Sequence, residues 1–174
     1  GALYQLFGTW AEVDPEAAVA GLEALPLSRQ RVVGHGVFHE LAKRDPPRAW
    51  ELHQSLPDAA WRSHQVATSI FSVWATRDLE GALAAASAAS LGDQHDLVVS
   101  SIWREAAAAD PLATVMKFND AASSASVAAS AAQVYQKLVE ADPAAARRLL
   151  GEAPRLVRMN AAPAVASEVA RTDR

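Results

Sequence analysis

The sequence predicts an all-α fold, an α-solenoid of antiparallel helix pairs repeating about every 32 residues. Three observations carry this. Alanine dominates the composition and glycine is sparse, which favours helix throughout. Asp-Pro recurs as Asp14-Pro15, Asp45-Pro46, Asp110-Pro111 and Asp142-Pro143, with Asp78-Leu79 filling the gap and Asp173 at the end. These six aspartates are separated by 31, 33, 32, 32 and 31 residues.

Residues at fixed offsets from each Asp support the register. Seven positions before it stand Phe7, Phe38, Phe71, Trp103, Tyr135 and Ala166. Eight before stand Leu6, Val37, Ile70, Ile102, Val134 and Val165. Three before are Ala11, Ala42, Ala75, Ala107, Val139 and Ala170. Four before are Trp10, Leu41, Trp74, Ala106, Leu138 and Val169, and eleven before, mostly small residues from Leu3 to Ala162. Offsets of 11, 8, 7, 4 and 3 trace one stripe at helical period. This is the second helix of each unit, helix B.

Helix A starts at the Asp. Its carboxylate caps the free N–H groups of the first turn, and proline is pre-set for the first helical position. Four residues after the Asp come Ala18, Ala49, Ala82, Thr114 and Ala146, where only a small side chain is expected to fit against helix B. Leu25-Pro26, Leu56-Pro57 and Ala153-Pro154 should stop helix A, because the residue before proline is pushed out of the α region. Two units lack that proline and are expected to run a turn longer. The helices expected are 2–12, 15–25, 30–43, 46–56, 59–76, 79–90, 94–108, 111–120, 125–140, 143–152 and 156–171. They make one domain over 1–174, a B half-unit followed by five hairpins starting near 14, 45, 78, 110 and 142. The units are expected to continue beyond the segment, because the register begins mid-unit and ends on a fresh Asp.

Phe7-Gly8-Thr9-Trp10-Ala11-Glu12-Val13-Asp14-Pro15 resembles the second helix and hairpin boundary of tetratricopeptide repeats. The aromatic-to-proline distance agrees. The first-helix pattern of that family, with its Trp, Leu-Gly and Tyr, is missing. The resemblance implies a right-handed superhelix that holds peptides or proteins on a surface lined by helix A. Six and nine residues after each Asp the outward positions read Ala20, Glu51, Ala84, Met116, Arg148 and Glu23, Gln54, Ser87, Asn119, Gly151. Glu51, Gln54, Met116, Asn119 and Arg148 are the candidate partner-binding residues.

Composition narrows the chemistry. There is no cysteine, hence no disulfide, thiolate metal site or Cys nucleophile. Glycines are scattered, so no phosphate loop is present. No Ser-His-Asp arrangement stands out, and Asp93 and Asp96 sit where helix capping explains them. The chain is therefore not expected to be an enzyme or to need a cofactor. His35 and His39, four apart beside Glu40, place two imidazoles on one helix face and are the alternative metal site, with His53 and His64 in the neighbouring hairpin. Core packing is the preferred reading of these histidines, and of Trp50 and Trp61.

The formal charge is −4, against nucleic-acid binding. Residues 1–146 hold ten basic and seventeen acidic side chains; 147–174 hold six arginines and three acids. This asymmetry raises end-to-end self-association between a basic and an acidic end. No apolar run is long enough to insert in a membrane. The function expected is a non-enzymatic protein- or peptide-binding scaffold, the alternative being a structural spacer with no ligand of its own.

Overall fold

The computed structural model describes residues 2–56, 64–122 and 124–172. All regular structure among them is helical. The chain divides into two compact units, Gly1–Ala89 and Ser90–Arg174.

The first unit contains α1 (Ala2–Val13), α2 (Pro15–Glu23), α3 (Leu27–Arg44), α4 (Pro46–Ser55), α5 (His64–Ala75) and α6 (Leu79–Ala88). Helix α3 packs between α1 and α5, while α2 packs on α1 and α3, α4 on α3 and α5, and α6 on α5. The second unit contains a 3-10 turn at Gly92–Gln94, then α7 (His95–Ala109), α8 (Pro111–Ala121), α9 (Ala125–Ala128), α10 (Ala131–Ala141), α11 (Pro143–Glu152) and α12 (Arg155–Thr172). Helix α10 packs against α7, α8, α11 and α12, and α9 lies against α7 and α12.

Each boundary Asp serves two helices. Its backbone N–H closes the helix before it, as in Asp45 N–H to Leu41 O at 2.9 Å. Its Oδ1 accepts from the third residue of the helix after it: Ala17, Arg48, Gly81, Ala113 and Ala145, at 2.9–3.1 Å. All five aspartates adopt φ between −141° and −150° with ψ between 86° and 91°. One extended residue with a carboxylate is thus enough to turn the chain and satisfy an orphan donor.

The offsets from Asp map onto burial. The aromatic position is buried at Phe7, Phe38, Phe71, Trp103 and Tyr135. The small position after the Asp is buried at Ala18, Ala49, Ala82, Thr114 and Ala146. Trp50 is buried and stacks on His53 and against Phe71, as core packing requires. Trp61 lies outside the described residues.

Several boundaries differ from expectation. Helix α3 begins at Leu27, not 30, because Pro26 takes φ −58° and ψ 142° and its carbonyl accepts from Arg29 and Gln30. The units without the stop proline are not a turn longer. Helix α6 ends at Ala88, where Ala89 turns extended with ψ 140°. Helix α8 ends at Ala121, which lets the chain bend and bury Ala122. The helix expected over 125–140 is two. Ser130 N–H bonds three residues back to Val127, a tightened turn that ends α9. The start expected at 59 falls outside the described residues; α5 is described from His64.

Candidate functional site

The five candidate residues lie on first-helix elements of both units. In the first unit Glu51 and Gln54 are exposed on α4. Arg48, one turn earlier, donates to Glu51 at 2.9 Å and also pairs with Glu16 on α2. These exposed ion pairs hold side chains in place more than they stabilise the fold.

In the second unit Met116 and Asn119 are on α8 and Arg148 is on α11, and these two helices pack together. Met116 is 53 % exposed, and Leu112, one turn earlier, is 43 % exposed. Arg148 occupies the offset on α11 that Met116 occupies on α8, and is exposed with Glu152 3.9 Å away. The result is an apolar pair on one helix and a guanidinium on its neighbour.

Asn119 does not belong to the open surface. Its amide nitrogen donates to the Tyr135 hydroxyl at 2.9 Å and reaches Leu149 O at 3.4 Å. The hydroxyl lies 3.1 Å from Asn119 Oδ1. Asn119 therefore ties α8 to α10 and α11, and is partly buried. Burial pushes the Tyr135 phenol pKa up, with the Asn119 bond partly countering it.

The histidines of the alternative site are placed as follows. The rings of His35 and His39 are parallel, with centroids 6.5 Å apart. His39 Nδ1 is 3.1 Å from Ser69 Oγ on α5, so one of its nitrogens is occupied. Burial, with Lys43 next, lowers the His39 pKa. His53 is buried against Phe38 and Trp50, at an offset where Leu22 and Phe118 are also buried. The side chain of His64 is outside the described residues. Among the described residues no group of three or more His, Asp or Glu is placed to hold a metal ion.

Two recurrent contacts were missed in the sequence. Gln30 donates to Glu23 O at 3.1 Å and Leu25 O at 2.7 Å. Arg158 donates to Gly151 O at 3.4 Å and Ala153 O at 2.9 Å. Both stand sixteen residues after their Asp, and their acceptors share offsets too. The residue types differ, so no sequence pattern flags the role. The other contact was visible: Arg44 and Arg77 each precede an Asp. Arg44 donates to Glu12 O and Arg77 to Lys43 O, closing the C-terminal end of the previous second helix.

Comparison with known proteins returns no match to a family model, a curated protein or a solved structure. No helix among the described residues is long and apolar enough to cross a membrane.

Proposed function

We propose that this chain is a non-enzymatic helical-repeat scaffold of tetratricopeptide-like, α-solenoid type that binds a protein or peptide through its first-helix surface. The observation that carries the reading is the exposed Leu112–Met116 pair on α8, with Arg148 exposed on α11, the helix packed against it. Exposed apolar side chains one turn apart offer an anchor, and a neighbouring guanidinium offers a partner for a carboxylate. The ligand class this favours is a short segment carrying an apolar side chain and an acidic residue.

Recurrent contacts between residues 30 to 34 apart support the repeat reading. They are Glu16–Arg48, Glu12–Arg44, Lys43–Arg77 and His39–Ser69 in one unit, and Asp96–Ser126 and Asn119–Leu149 in the other. Stacked hairpins make such contacts because each unit touches chiefly its neighbours.

The test is peptide display on the 174-residue chain, counter-selected on Met116→Asp/Arg148→Glu. Peptides enriched on the parent should carry an acidic and an apolar residue and lose at least tenfold in affinity on the variant. No enrichment, or equal binding to both, refutes the site and leaves the spacer reading.

A further inference from the structure

Two of the five histidines stand one helical turn apart on α3, at offsets where the repeat does not call for imidazole. His35 lies ten and His39 six residues before Asp45. In later second helices the same offsets hold Thr68 and Ser72, Ser100 and Arg104, and Ala132 and Gln136. Neither offset is buried in any of these helices. On α3 itself His35 is exposed and His39 half-buried, while Val37 and Phe38 between them are buried. Core packing accounts for His53, which is buried on Trp50 and Phe38, and not for this pair.

The two rings can share one ligand. Side chains four apart on a helix lie on one face. The rings are parallel within 5°, with centroids 6.5 Å apart. His39 Nδ1 sits 3.1 Å from Ser69 Oγ on the packed helix α5. With that hydroxyl accepting, the proton is held on Nδ1 and the Nε2 lone pair is left for a ligand. This is how an outer oxygen fixes the tautomer of a metal-binding histidine. The exposed His35 ring turns about a soft torsion to present its own nitrogen to the same point.

The surrounding charges tolerate a cation. Lys43, one turn after His39, is paired with Glu40 at 2.8 Å, which offsets its charge. Burial, ahead of Lys43, lowers the His39 pKa, so its lone pair is available at neutral pH.

We propose that His35 and His39 form a two-imidazole site for a borderline divalent transition ion, nickel(II) or copper(II), with water in the remaining positions. Zinc sites take three or four protein ligands, and among the described residues no third His, Asp or Glu is placed with this pair. Nickel(II) and copper(II) accept imidazole and can complete their coordination with water. Binding to the second ring is intramolecular, so the pair holds an ion far better than either ring alone. The spacing exists only in the folded helix, so the ion stabilises the folded chain. The site uses none of Leu112, Met116 and Arg148, and its test is independent of peptide binding.

Isothermal titration of the 174-residue chain with nickel chloride at pH 7.5 reads the site. The parent should bind one ion per chain. His35→Gln and His39→Gln should each weaken binding at least tenfold, and Ser69→Ala severalfold. His95→Gln, which removes an exposed single histidine, should leave the affinity unchanged. With saturating nickel the parent should melt about 3 °C higher than in a chelator, and neither His35→Gln nor His39→Gln should shift. Circular dichroism checks that each variant keeps its helicity. His35 is exposed, so His35→Gln decides the matter if His39→Gln disturbs the fold. A parent that binds no nickel overturns the proposal. So does a folded His35→Gln that binds as tightly as the parent, or a His95→Gln that loses the site.

Discussion

Substituting leucine at Ala82 and, separately, at Ala84 tests the register on a single helix. Both alanines lie in α6, two residues apart. Ala82 occupies the contact position and is 0 % exposed; Ala84 occupies the outward position and is exposed. Thr114 is the largest side chain found buried at the contact position, so leucine there exceeds what the site holds. Forcing extra methylenes into a packed site costs about 1–3 kcal/mol. For a chain of this size that is roughly 2–4 °C of melting temperature per kcal/mol, so Ala82→Leu should melt about 4–8 °C lower at a mid-range cost. Ala84→Leu carries only a small propensity difference and the usual surface effect, within about 0.5 kcal/mol, hence under about 2 °C. Thermal unfolding followed at 222 nm measures both. Equal shifts, or the larger shift at Ala84, would refute the assignment of the contact face.

Two further outcomes follow from single hydrogen bonds. Gln30→Ala strips the donor from Glu23 O and Leu25 O and should cost about 1–2 kcal/mol. Gln30→Arg should recover at least half of that in the same melt, because Arg158 performs the equivalent task; no recovery means the two positions are not equivalent. His39 should make the first unit acid-sensitive. Its folded pKa is lowered by burial, then by Lys43, so the unfolded chain takes up the proton first as pH falls. Its stabilising contribution is complete above the unfolded value near 6.5 and is lost progressively below it. Between pH 7.5 and 5, urea midpoints should fall further for the parent than for His39→Gln, which keeps a hydrogen-bonding group but cannot titrate. Parallel midpoints for the two proteins would rule this out.

What was legible in the sequence depended on whether a role constrains residue type. The boundary Asp was readable because one short carboxylate does a geometric job that few other side chains do. Ala18, Ala49, Ala82 and Ala146 were readable because close helix approach admits only small groups. The carbonyl-closing role of Gln30 and Arg158 was hidden, since any long donor serves. The break between α9 and α10 was hidden for a different reason. The alanines and serines around it are compatible with continuous helix, and the turn is set by where α9 packs. Asn119 looked like a surface amide because its offset is outward elsewhere; Tyr135, sixteen residues on, and the Leu149 carbonyl draw it inward.

Leu6 carries the same point further. It is a branched aliphatic in a position filled by branched aliphatics, and the sequence marks it as core. In the structure it is exposed, although nothing about the residue differs. At that offset Val37 on α3 and Ile70 on α5 are buried, and each of those helices packs on a second helix before it, so burial there is set by the neighbouring helix as well as by the side chain.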